Sequence, residues 1–152
     1  MPRRVRRPSA YSELLNTLTD KEKSGIFETY KDALLFAASI GAFKTKPKSF
    51  EKSSEPIDYG IFSKRSDSEA FIHLLAIYDR GDIEILSDEY SDEKVTILEE
   101  YAYAGLEIID RKLKNSVSTL DAILDLMHES KVSNEEDSDR DFSDIVKSLK
   151  RD

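Results

Sequence analysis

Residues 91–114 read SDEKVTILEEYAYAGLEIIDRKLK, and this stretch decides the fold class. Ile97, Leu98, Tyr101, Ala102, Leu106, Ile109 and Leu113 recur at three- and four-residue intervals, the spacing of one helix face. Ser91 stands where a helix cap belongs, so the pattern predicts a long helix from about Asp92 to Lys114. Gly105 sits in its middle at a cost of ~1 kcal/mol against alanine. A glycine there points to the close approach of another backbone.

Working outward, the same period reappears on both sides. Phe27, Tyr30, Leu34, Ala37, Ala38 and Ile40 form a second stripe, with Gly41 as its expected stop. Thr19 and Glu22 have the spacing of a capping box, in which each side chain takes the other residue's amide, and would open this helix. Ser9 is expected to cap a shorter helix carrying Tyr11, Leu14, Leu15 and Leu18. Ser66 and Glu69 form a second box, opening a helix to about Asp79 whose buried stripe reads as Phe71, Leu74, Leu75 and Tyr78. Gly81 ends it, and Ile83, Ile85 and Leu86 follow as a short apolar segment. A last helix over about Thr119–Glu129 is expected to turn Leu120, Ile123, Leu124 and Met127 inward.

Residues 42–65 break the period with Pro47, Pro56 and Gly60. A connection this long inside a small domain is often functional. Phe43, Phe50, Ile57, Tyr59, Ile61 and Phe62 are anchors that would pack it down, and a short strand pair is one form it could take. The expected architecture is mainly α: a compact bundle of about five helices with a long packed connection. Residues 1–8 read as a flexible basic arm and 9–131 as a single domain. Residues 132–152 read as a flexible acidic tail, in which Phe142, Ile145, Val146 and Leu149 keep a helical stripe suited to docking.

Composition narrows the chemistry. The chain of 152 residues has 36% charged residues and a net charge of −8. Arg3, Arg4, Arg6 and Arg7 contribute +4, leaving −12 on the remainder. So acidic a body repels polyanions at long range, and any nucleic-acid contact must be local. There is no cysteine, hence no disulfide, thiolate ligand or thiol nucleophile. No apolar run reaches the ~18 residues of a membrane span. The basic start has no apolar run after it, so a cytoplasmic protein without membrane contact is expected.

No catalytic signature emerges. The five glycines are dispersed, and no phosphate loop, HExxH or GxSxG occurs. His73 lies four residues after Glu69, a pair that could share a helix face, but a base without a nucleophile or metal is half a site. His128 suits a helix C-terminus. Asp82 and Glu84 resemble a divalent-metal nuclease pair, yet Leu86 stands where the lysine would be needed. Neither a metal nor a cofactor is expected, and the chain reads as no enzyme.

The basic stretches are the candidate sites. Arg3, Arg4, Arg6 and Arg7, between two prolines, resemble an arm that follows a phosphate backbone or enters a minor groove. Lys44, Lys46, Lys48 and Lys52, interleaved with Phe43 and Phe50, form a second stretch, with Lys64 and Arg65 beyond it. Folded onto one face, the two would make a DNA-binding surface. The competing readings are a solubilising terminus with an ordinary solvated loop, or contacts to an acidic protein. Four phosphates neutralised by the arm would give a log–log salt slope near −3.6, by the rule of ~0.9 per phosphate.

Several ordered segments resemble one prokaryotic family. They are Ile26–Ala38 (IFETYKDALLFAA), Glu55-Pro56-Ile57 leading to Ile61-Phe62, and Ala76 with Asp82–Ser87 (DIEILS). Glu99-Glu100-Tyr101-Ala102 and Gly105-Leu106-Glu107-Ile108 complete the set. Over about residues 25–115 the chain is similar to the DNA phosphorothioation (Dnd) system-associated protein 4 family. That resemblance implies a setting in which sulfur replaces a non-bridging phosphate oxygen of DNA and linked restriction modules attack unmodified DNA. It implies an accessory role and supplies no catalytic residues to carry over. Its Glu99, Glu100 and Glu107 read as partner contacts or solvated helix surface. The function expected is a non-enzymatic adaptor that binds a protein component of an antiphage defence system, with DNA as a second candidate partner. The alternatives are a DNA-binding transcriptional regulator of the same operon, most simply a dimer, and a nuclease subunit. Oligomeric state and the sensing of phosphorothioate are not encoded in any linear motif.

Overall fold

The computed structural model describes residues 2–23 and 25–131. The expectations for residues 132–152 lie outside the described residues. The protein is a mainly α-helical bundle built on α1 (Ser12–Thr19), α2 (Tyr30–Lys44), α3 (Tyr59–Ser63), α4 (Ser66–Arg80), α5 (Ser91–Lys114) and α6 (119–131). Two strands, β1 (Val5–Pro8) and β2 (Ser53–Ile57), pair antiparallel, with Val5 opposite Ile57 and Pro8 opposite Ser53.

The centre is the crossing of α2 and α5, the most extensive contact between elements. A Cβ placed on Gly105 would lie 1.6 Å from the Ala37 carbonyl oxygen, and one on Gly41 2.1 Å from that of Tyr101. Both helices therefore need a bare backbone at the crossing, where small residues let the axes approach. Gly105 has the role its position predicts. Gly41 does not end α2, which runs one turn further to Lys44. Leu34, Ala37, Ala38, Leu98, Ala102, Leu106 and Ile109 fill the surrounding core.

Further local expectations are corrected, and none of Ser9, Ser66 and Ser91 caps its helix through a side-chain hydrogen bond. Thr19 does not cap a helix: its hydroxyl donates back to the Leu15 carbonyl at 2.8 Å, and Asp20 accepts from the Glu22 amide instead. The chain then turns tightly through Gly25, and the Ile26 and Phe27 amides both donate to the Leu18 carbonyl. The cap of α2 is Thr29, which accepts from the Asp32 amide. Helix α4 buries Ser68, Ile72, Leu75 and Ala76, leaving Leu74 and Tyr78 exposed. Gly81 closes α4 in the left-handed region at φ 68°, as glycine allows. Helix α6 buries Ala122, Ile123 and Leu126, while Leu120, Leu124 and Met127 stay exposed. In both helices the period is right and the buried face is rotated, because the face is chosen by what lies opposite.

The basic arm is also corrected. Instead of projecting freely, residues 5–8 are strand β1, and its partner comes from the long connection. A strand pair does form in this region, but between the connection and the N-terminus.

Candidate functional site

The strongest polar constellation in the described residues is centred on Glu99. This side chain is 0% exposed, on the face of α5 that meets β1. An uncompensated carboxylate would not be tolerated there. Arg3 meets it with two parallel hydrogen bonds, Nη1 to Oε2 at 2.8 Å and Nη2 to Oε1 at 2.9 Å. Arg6 adds Nε at 3.1 Å and Nη2 at 3.0 Å, both to Oε1, and its backbone N–H donates to Oε2 at 2.6 Å. Burial alone would raise the Glu99 carboxyl. The hydrogen bonds from Arg3 and Arg6 outweigh it and hold the group below the ordinary carboxylate range. Around this centre, Arg3 Nη2 also donates to the Thr96 hydroxyl, and the Arg3 amide to Asp92.

The other two arginines face outward but are not free. Arg4 pairs with Glu55 at 2.9 Å and Asp58 at 3.0 Å, and donates to the Pro56 carbonyl. Arg7 donates from Nε to the Glu55 carbonyl at 2.7 Å and lies over the Tyr30 ring, 4.3 Å from its centre. The lysines divide. Lys44 pairs with Glu129 and Lys48 with Glu107, whereas Lys46 and Lys52 are exposed and form no ion pair among the described residues.

The two basic stretches do meet, but only in part. Arg6 lies over the Phe50 ring at 4.6 Å, and the Ser9 amide donates to the Lys52 carbonyl. Beside this junction is an open groove of about 550 Å3, bordered by Pro8, Ala10, Phe50, Lys52 and Tyr103 among others. Phe50 and Tyr11 flank Tyr103, with ring centres 5.2 and 5.5 Å away, and of this aromatic row Phe50 and Tyr103 line the groove. Such a groove offers stacking surface beside one cation, Lys52, and one carboxylate, Glu51, not a cluster of reacting groups.

Of the candidates for catalysis, Asp82 and Glu84 border one open pocket with Arg80 and Glu93, a lining without histidine or lysine. Asp82 accepts from the Glu84 amide, capping the 3-10 turn Ile83–Leu86. Among the described residues, no group of three or more His, Asp or Glu is placed to hold a metal ion. No helix among them is long and apolar enough to cross a membrane.

Glu99 is the residue the sequence reading missed. It lies four positions after Val95, three before Ala102 and seven before Leu106, which places it on the apolar stripe of α5. A carboxylate there demands a countercharge, and the arginine run at residues 3–7 is the densest in the chain. That was the available signal.

The family described as DNA sulphur modification system-associated protein 4 matches residues 4–145. The chain belongs to this family. The match is wider than the resemblance over residues 25–115: it includes β1, its arginines and part of the acidic tail. The matched span holds Glu99 and Arg6 and begins one residue after Arg3. No curated protein and no solved structure matches the chain.

Proposed function

We propose that this protein is a non-enzymatic adaptor of a phosphorothioation-linked defence system, acting by docking onto a larger protein component. The observation that favours protein over DNA as the principal partner is the engagement of the arginines. Arg3 and Arg6 close on a buried carboxylate, and Arg4 on two exposed ones. Groups that would otherwise meet phosphates already have anionic partners inside the fold. The exposed pair Leu74 and Tyr78, one turn apart on α4, supplies apolar surface of the kind protein partners cover. The Tyr78 hydroxyl reaches toward the Ala42 carbonyl, and exposed Phe43 is the next residue along.

The experiment is affinity capture from the native host with nuclease treatment. A defence protein should be retained after DNA is digested and lost from a Leu74→Asp, Tyr78→Asp variant that keeps its helical content. Capture that vanishes with nuclease would reverse the assignment in favour of DNA.

Local DNA contact remains the second reading, supported by Lys52 beside the aromatic row and by Lys46. These two lysines would give a salt slope near −1.8 by the ~0.9 rule, half that expected from the four-arginine arm. A slope as steep as −3.6 would mean that the arginines leave their carboxylates on DNA. Promoter-selective binding would favour the regulator, and metal-dependent cleavage the nuclease subunit.

A further inference from the structure

Helix α6 has two apolar stripes, and the core uses one. Ala122, Ile123 and Leu126 are buried, while Leu120, Leu124 and Met127 are 53%, 51% and 53% exposed. The exposed three are spaced i, i+4, i+7, the spacing of a helix seam. Leaving a seam of large side chains half in water forgoes apolar burial that a covering segment would recover.

We infer that the occupant of this seam is the chain's own C-terminal segment, residues 142–149. Pattern, reach and charge converge on it. The segment presents Phe142, Ile145, Val146 and Leu149 at i, i+3, i+4 and i+7, a stripe of the same length as the seam. The connecting residues 132–141 number ten and can span up to about 33 Å. That is ample for turning back along α6 at an interaxial distance of about 8–10 Å.

Charge selects the direction. Exposed Asp121 and Asp125 lie toward the start of α6, and exposed Lys131 at its described end. In the segment, Lys147, Lys150 and Arg151 lie toward the end, and Asp141 and Asp144 toward the start. Antiparallel docking sets the basic end against Asp121 and Asp125, and Asp141 and Asp144 near Lys131. Parallel docking would oppose like charges at both ends. Phe142 then lies by Met127, and Leu149 by Leu120.

The absence of native cysteine makes the pairing directly testable in the full chain. A Leu124→Cys, Val146→Cys protein should close an intramolecular disulfide under mild oxidation, since docking brings the two Cα atoms within about 7 Å. The control Leu124→Cys, Ser148→Cys places the second thiol on the far side of the segment. It should close at least roughly tenfold more slowly, because only tethering then raises the local thiol concentration. Equal closure rates in the two proteins would overturn the inference. So would a product that is mainly a disulfide-linked dimer, which would make a second copy the occupant. As a measurement free of introduced thiols, Phe142→Asp should speed amide hydrogen exchange across residues 120–127 several-fold. Unchanged exchange there would count against docking.

Discussion

The α2–α5 crossing and the β1 clasp hold the same helix from two sides by opposite means. At the crossing, apolar side chains and two bare glycine backbones meet, and the sequence period marks both helix faces and, at Gly105, the close approach. At the clasp, two arginines reach across 93 and 96 positions of sequence to one buried carboxylate. No periodicity announces that meeting. Apolar packing repeats along a helix and so leaves a pattern, whereas an ion pair joins two points and leaves only its separate ends.

The difference can be put under load. Glu99→Gln should have the largest effect, a loss of about 3–5 kcal/mol, because it leaves two guanidinium groups without their shared countercharge. Chemical denaturation would measure it, and hydrogen exchange should show β1 released from β2. A variant as stable as the parent would demote the clasp to surface decoration. Gly105→Ala should follow at about 3 kcal/mol, since its Cβ meets the Ala37 backbone and the gain in helix propensity is only ~1 kcal/mol. An alanine tolerated here would mean that the helices can slide apart, and that the crossing is less fixed than the clasp.

Acid should separate the two regions. The Glu99 carboxyl is held below its ordinary value, so its contribution is fully present above the unfolded-state pKa. It is lost as pH falls through the lower folded-state value. The parent protein should therefore lose stability steeply below about pH 4.5, near the model-peptide carboxylate range. Glu99→Gln should show a shallower acid limb in the same denaturation series. Identical limbs would assign the acid sensitivity to other lowered carboxyls, such as Glu107 and Glu129. The smallest effect should come from Arg4→Ala, a denaturation midpoint barely displaced from the parent's, because its partners are exposed and screened by solvent. A larger loss would show that Arg4 fixes the strand register through the Pro56 carbonyl and not through its ion pairs.

Legibility followed the same division. The existence of α2, α4, α5 and α6, the cap at Gly81 and the close approach at Gly105 could all be read from local spacing. The inward face of α4 could not, because Leu74 and Tyr78 have the same period as the buried Ile72 and Ala76. Helix α6 failed in the same way, with Leu124 and Met127 as credible as Leu126. The candidate site was half legible. Its arginines were conspicuous, but their direction was not, since a guanidinium serves a phosphate or a buried carboxylate equally well.

Taken alone, then, the amino-acid order determined an acidic, cysteine-free, helical chain with a basic N-terminus, because composition and short-range spacing are properties of the chain itself. Tertiary structure decided which helix faces are covered, that the N-terminus is a strand, and that Glu99 draws in Arg3 and Arg6. Those outcomes depend on which distant groups compete for one buried position. There, removing a charge from water is tolerable only when its partner arrives too.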